Sequence, residues 1–331
     1  MSLLVSILLL VAGFALLIKG ADWLVEGASA LARSVGMSDL MIGLTIVAFG
    51  TSAPELLVNV MASLQGNADI VMGDIVGSNI ANTFLVLGIA AMITSLSVQT
   101  STVWKEIPLN LLIGIILFVM MSDMLLDGSQ TAVTRSEGVV LIGFFFVFLY
   151  YTFFMKRGNG EHHSKQSMPL SLALLLVIIG CILLPLGGKM VVTAAISIAQ
   201  SMGISETLIG LTIVALGTSL PEAAAASVAA WKGKADIAIG NVVGSNIFNI
   251  CWVLGISAII RPVVPTTDLT VDLLIVIASS ILLFYLVHTG PMHHRPFFFW
   301  RQHKAHLISR AEGALLLVGY VLYLVYVGMR G

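Results

Sequence analysis

The chain contains one unit twice. Residues 43–55 read GLTIVAFGTSAPE and residues 210–222 read GLTIVALGTSLPE, identical at eleven of thirteen positions. Residues 73–82, GDIVGSNIAN, match residues 240–249, GNVVGSNIFN, at seven of ten. Both pairs stand 167 apart, and the same offset aligns Gly20 with Gly187, Gly36 with Gly203 and Asp69 with Asp236. Whatever fold forms must be built from two related halves.

The halves are too apolar for water. Hydrophobic residues make up 58% of the 331 and charged residues 10%, against about 25% charged in soluble domains. That argues against a soluble enzyme and against disorder. A membrane-crossing helix needs about 20 mostly apolar residues, and the long apolar runs recur. The pattern predicts ten spans, near 2–32, 40–64, 69–93, 105–122 and 136–155, then 170–199, 207–231, 236–260, 270–288 and 310–328. Even the fifth spans correspond, since RSEG at 135–138 opens one and RAEG at 310–313 the other.

Five spans per half is an odd number, so the second half must enter the membrane from the opposite side. The expected fold is all-α and integral to the membrane. Ten transmembrane helices form two inverted five-helix repeats, with broken helices at the midplane. Such repeats are typical of secondary transporters, with the substrate site where they meet. The first repeat is 1–155, a linker is 156–169 and the second repeat is 170–331. Eleven Lys and Arg fall on one side of the expected membrane and three on the other, with Lys19 and Lys189 inside spans. The basic side, with the linker, is expected to be cytoplasmic and both termini extracytoplasmic, in a cell (inner) membrane.

Other features mostly exclude. A net charge of −1 gives no reason to expect nucleic acid as a partner. The apolar run at 3–18 could pass for a signal peptide, but no basic residue precedes it and its repeat lies mid-chain. Cys181 and Cys251 lie in apolar segments and read as free thiols. The histidines His162, His163, His293, His294, His303 and His306 read as solvated loop residues, with metal binding or pH sensing as the alternative. The PFFFW run at 296–300 reads as an anchor at the membrane interface.

Chemistry concentrates in the duplicated motifs. Glu55 and Glu222 sit deep in apolar spans, where an acid costs at least about 2.5–3.5 kcal/mol. Lys19 and Lys189 are the in-span cations, and they do not match under the repeat. Symmetric acids without symmetric bases point to a bound cation rather than a structural ion pair. Each glutamate follows a proline, Pro54 or Pro221, which deprives the carbonyl of Gly50 or Gly217 of its helical donor. The carbonyls of Ala48, Thr51, Ala215 and Thr218 are candidates to turn inward. Irregular backbone survives at membrane depth where it lines a buried or wet cavity.

Thr51 and Ser52 precede Glu55 by four and three residues, placing their hydroxyls near its face, and Thr218 and Ser219 repeat this before Glu222. Singly, such hydroxyls usually bond back to their own helix; their duplication around a carboxylate favours a site. Ser78 and Asn82, like Ser245 and Asn249, are spaced i, i+4 on one helix face. Small residues at Gly73 and Gly77, and at Gly240 and Gly244, allow close backbone approach. An all-oxygen set of this kind suits hard cations, and calcium and sodium more than magnesium, which keeps its waters.

These motifs, GTSAPE and GTSLPE with GSNIAN and GSNIFN, resemble the paired repeats of the cation/calcium exchanger superfamily. The similarity is greatest to its small prokaryotic sodium/calcium exchanger-like members and covers essentially all ten spans. It implies antiport of calcium against sodium by alternating access, without a prosthetic group. It implies that Glu55 and Glu222 hold calcium and that Asn82 and Asn249 sit at the centre. Ala48, Thr51, Ser52, Ser78, Ala215, Thr218, Ser219 and Ser245 would line calcium and sodium positions, within a chain for which a monomer suffices. Several sodium-coupled members carry aspartate at one or both positions held here by Asn82 and Asn249. The recognised site therefore carries at most −2, and a proton is the alternative counter-ion. A calcium channel and an intramembrane acid/base enzyme are the other classes; the first lacks a role for the helix breaks and the second lacks a nucleophile–base set.

Asp74 breaks the symmetry, because Asn241 stands at its matched position. It reads either as a cation attractor in the outer vestibule or as an acid favoured by the first turn of its helix.

Overall fold

A computed structural model of the chain describes residues 2–100, 102–123, 131–154, 168–203, 215–289 and 306–330. Helix α1 spans Leu3–Val35. Ser2 caps it by accepting a hydrogen bond from the Val5 amide at 3.4 Å, and Gly36, at φ 68°, ends it in a left-handed conformation that glycine adopts without strain. There follow α2 (Asp39–Thr51), α3 (Ala53–Gln65), α4 (Ala68–Ile93), α5 (Thr102–Met120) and α6 (Arg135–Phe154). The second half supplies α7 (Leu170–Ser201), a short turn Ala215–Gly217, α8 (Leu220–Trp231), α9 (Ala235–Ile260), α10 (Thr270–Thr289) and α11 (Arg310–Arg330).

Among the described residues, eight helices are long and apolar enough to cross a membrane, or nine if α2 and α3 count as one bent span. Their ends fall within three residues of the expected ones. The expected span 207–231 is described only from residue 215 onward. The histidines of 156–168 and 293–303, most of the linker and the 296–300 aromatic run lie outside the described residues.

The outer pair α1 and α7 lie along each other. A Cβ on Gly13 would come within 3.0 Å of the Gly187 carbonyl oxygen, and one on Gly180 within 2.8 Å of the Gly20 carbonyl oxygen. Rising numbers on α1 meet falling numbers on α7, so the pair is antiparallel. Backbone-to-backbone approach of this kind requires residues without side chains. Inside, α4 packs on α11, α6 on α9 and α5 on α10, and α9 also rests on α2 and α8.

Contacts repeat between the halves. Arg310 donates to the Ile93 carbonyl at the end of α4 (3.0 Å), and Arg135 donates to Ile259 and Ile260 at the end of α9 (3.2 and 3.4 Å). Two features depart from a plain helical bundle. A two-stranded antiparallel ribbon pairs β1 (Leu96–Val98) with β2 (His306–Ile308), and a single bridge between Val133 and Val263 is its counterpart. His306 thus belongs to a strand, its Nδ1 3.1 Å from the Val287 carbonyl oxygen, and is not a free loop residue. Second, α4 and α9 each contain a π-helical stretch, Asn82–Val86 and Phe248–Leu254, beginning at or beside the duplicated asparagine. Such stretches recur at functional sites.

Candidate cation site

Proline decides the local backbone. Pro54 and Pro221 each stand in the first turn of a helix, α3 and α8, where a missing N–H costs nothing. The preceding helix stops, and α2 and α3 meet at 48°. Ser52 and Ser219 occupy the breaks, with ψ of 7° and 0°. The break places Glu55 and Glu222 in the first turns of α3 and α8, whose unpaired N–H groups favour negative charge. Both glutamates are 1% exposed.

The breaks face each other across the two halves. The Ser52 hydroxyl donates to Glu222 Oε1 at 3.0 Å, and the Ser245 hydroxyl reaches the same oxygen at 3.4 Å. Proximity in sequence places Ser52 beside Glu55; folding gives its hydrogen bond to the glutamate of the other half. The single hydroxyl hydrogen of Thr51 is shared between the Ala48 carbonyl at 3.2 Å and Asn241 Oδ1 at 3.1 Å. The Ala48 carbonyl, expected to turn inward, accepts this hydroxyl and the Ser52 amide. Ser78 lies 3.5 Å from the Thr218 hydroxyl, and Thr218 donates to Asp74 Oδ1 at 3.2 Å. Ala215 opens the short turn before the second break; its side chain lies outside the description.

Several buried oxygens here have no hydrogen-bond partner: Glu55 Oε2, Glu222 Oε2, Asn82 Oδ1, Asn249 Oδ1 and Ser219 Oγ. A buried polar atom left unpaired costs about 1–3 kcal/mol, more when charged. Lys19 bonds Asp22 on its own helix at 3.0 Å and Lys189 is exposed. Among the described residues no ion pair reaches Glu55, Glu222 or Asp74. Nor do those residues include a cluster of three or more His, Cys, Asp or Glu placed to hold a metal. The donor set is two carboxylates with amide and hydroxyl oxygens, which fits a hard cation and not a transition metal.

The sequence profile of the sodium/calcium exchanger protein family matches residues 5–154 and 172–329. The chain belongs to that family. The inner membrane protein YrbG of Escherichia coli (strain K12) is 35% identical to it, covering 97% of this chain and 96% of the relative. Sodium/calcium exchanger MaX1 of Methanosarcina acetivorans is 32% identical, covering 97% and 98%. The solved structure of the sodium-calcium exchanger NCX_Mj, soaked with zero Na+ and Ca2+, superposes with a TM-score of 0.80 at 30% identity, covering 98% and 99%. This exchanger-family chain is thus a multi-pass membrane protein of a cation/calcium antiporter family, as its motifs imply.

Two residues of this exchanger's centre escape a motif reading. Asn59 donates to the Glu55 carbonyl at 2.7 Å and to Asp74 Oδ2 at 2.5 Å. Asn241 donates to the Glu222 carbonyl at 3.3 Å while accepting from Thr51. The signal was available, because the 167 offset sets Ala226 against Asn59 just as it sets Asn241 against Asp74.

Proposed function

We propose that the chain exchanges calcium for sodium by alternating access, at a midplane site built from both halves. One observation carries the reading: the Ser52 hydroxyl of the first break is bonded to Glu222 of the second, so the two duplicated motifs form one polar centre. Calcium engages Glu55 and Glu222, with Thr51, Thr218, Ser52, Ser219, Ser78, Ser245, Asn82, Asn249 and the Ala48 and Ala215 carbonyls as surrounding oxygens. Sodium neutralises the same carboxylates and displaces it. A charged, empty centre crosses poorly, which enforces exchange.

The antiparallel packing of α1 on α7, and the reciprocal contacts at the ends of α4 and α9, support ten spans in two inverted repeats, 1–155 and 170–331. The linker 156–169 is then cytoplasmic and both termini extracytoplasmic, in the inner membrane. Both glutamates belong to one chain, so a monomer suffices. The names of MaX1 and NCX_Mj as sodium/calcium exchangers support sodium.

The test is calcium-45 uptake into proteoliposomes of purified protein with sodium or excess protons trapped inside. Uptake driven by the sodium gradient is expected. Uptake driven by protons alone reassigns the counter-ion to the same two glutamates. Uptake independent of either gradient makes the protein a channel.

A further inference from the structure

The polar centre is symmetric in outline and asymmetric in charge. In each half, the residue one turn before the serine of α4 or α9 takes the hydroxyl hydrogen of the threonine in the opposite break. Asn241 shares that of Thr51, at 3.1 Å, with the Ala48 carbonyl at 3.2 Å, and Asp74 takes that of Thr218 at 3.2 Å. The two contacts are copies under the 167 offset. A hydroxyl offers a cation its lone pairs only when its hydrogen points elsewhere. The acceptor at 74, or at 241 together with the Ala48 carbonyl, therefore sets which way the threonine oxygen faces.

The chemistry of that acceptor differs. Asn241 carries its own amide donor and uses it on the Glu222 carbonyl. Asp74 has no donor to give, and the matching bond to the Glu55 carbonyl comes from Asn59, which also holds Asp74 Oδ2. Ala226 suffices opposite Asn59 because Asn241 already fills that role. Aspartate with asparagine on one side, and asparagine with alanine on the other, are two solutions to one hydrogen-bonding problem, and only the first adds a charge. Asn59 is fully buried and its Oδ1 is unpartnered, a further oxygen beside Asp74. The first-turn explanation for Asp74 fails, since Asp69 is the first-turn acid of α4 and Asp74 stands a turn further in. Access differs as well: Asp74 and Thr218 are part-exposed, whereas Thr51 and Asn241 are fully buried.

We propose that Asp74 is a positioning and affinity-determining residue of the cation path. It orients the Thr218 oxygen toward the cation and, by its charge, makes the Asp74 face the higher-affinity entrance, while Asn241 orients Thr51 without charge at the other. This rests on the antiporter reading above.

Everted and right-side-out membrane vesicles carrying the full chain present opposite faces to calcium-45. The unaltered chain is expected to half-saturate at lower calcium from the Asp74 face. Asp74→Asn keeps an acceptor for Thr218 and removes only the charge, so it raises the half-saturating concentration there by about tenfold, calcium affinity following the local charge count, and leaves the other face unchanged. Thr218→Val, which removes an oxygen that the site shows to both faces in turn, raises it at both faces, Thr218→Ser does not, and at the Asp74 face Thr218→Val with Asp74→Asn loses less than the sum of the two. The double variant Asn59→Ala with Asp74→Asn rebuilds the pair the second half already carries. It keeps the hydrogen bonds and shows the same one-sided loss even if the single variant folds poorly. Equal shifts at both faces from Asp74→Asn, no shift, or strictly additive losses at the Asp74 face overturn the proposal. An unaltered chain without gradient-driven exchange overturns the antiporter reading instead.

Discussion

The outer pair α1 and α7 and the inner pair α4 and α9 are all apolar enough to cross a membrane, the outer pair more so, and are used in opposite ways. The most apolar windows of α4 and α9 are 78% buried, those of α1 and α7 only 22% and 28%. The inner helices bury Ser78, Asn79, Asn82 and Thr83, and Ser245, Asn246 and Asn249. The outer ones turn Leu4, Leu8, Val11 and Ile18 outward, each more than half exposed. A soluble protein hides its apolar residues. Here apolar side chains meet lipid at no cost, and polar groups need the interior because lipid offers them no partner. Hydropathy therefore marks what crosses the membrane, and buried polarity marks what works within it.

The sharpest break in that contrast is removal of an inner charge. Glu55→Gln or Glu222→Gln should lower calcium exchange by at least about a hundredfold, since calcium affinity follows the charge count of its ligands. Folding should persist, because the amide keeps the shape and a neutral group is cheaper to bury. Calcium-45 exchange with gel filtration of the same sample reads both. Near-normal exchange in either variant removes that glutamate from the site.

The outer pair should fail in folding rather than in chemistry. Gly180→Ala puts a methyl 2.8 Å from the Gly20 carbonyl oxygen and the Leu24 Cβ. Overpacking at such a seam costs about 1–3 kcal/mol, read as a lower thermal midpoint in detergent. Calcium affinity of the folded fraction should be unchanged. A loss of affinity without a loss of stability would tie α1 and α7 to the site itself.

A break of similar size lies in the bond across the halves. Ser52→Ala removes the donor 3.0 Å from Glu222 Oε1. The net worth of one such bond to a charged group is about 1.5–3 kcal/mol, so calcium affinity should fall by about ten- to a hundredfold. A protein unaffected by the change would mean that the two breaks act separately.

What the sequence made legible follows from what repeats and what is local. Helix ends, the proline breaks and the paired glutamates came from spacing alone, because proline and apolar periodicity act within a few residues of themselves. The partner of Ser52 did not, since Glu222 lies 170 residues away in the chain and no local period encodes a contact between halves. Placing the Ser52 hydroxyl beside Glu55 was sound helix geometry applied to a helix that ends at Thr51. Asp74 drew notice only as a mismatch. Its bonds to Asn59 and Thr218 depend on how α3, α4 and the second break converge. The π-helical stretches at Asn82 and Phe248 leave no mark in composition, though both begin at the duplicated asparagine positions or one residue before.

The smallest expected effect tests the outer surface of α1. Val11 is 62% exposed on that helix. Against lipid, Val11→Ala trades valine contacts with acyl chains for acyl-chain contacts with one another, and surface substitutions of this kind stay within about 0.5 kcal/mol. Thermal unfolding in detergent and in bilayer nanodiscs should give the same midpoint for variant and parent. The outcome that matters is a discrepancy. A loss well beyond that range would mean the side chain has a protein neighbour, and the neighbour available to an outward face is a second copy of the chain. Cross-linking through Val11→Cys would then yield a dimer, and the outer pair would belong to an interface as well as to the lipid boundary.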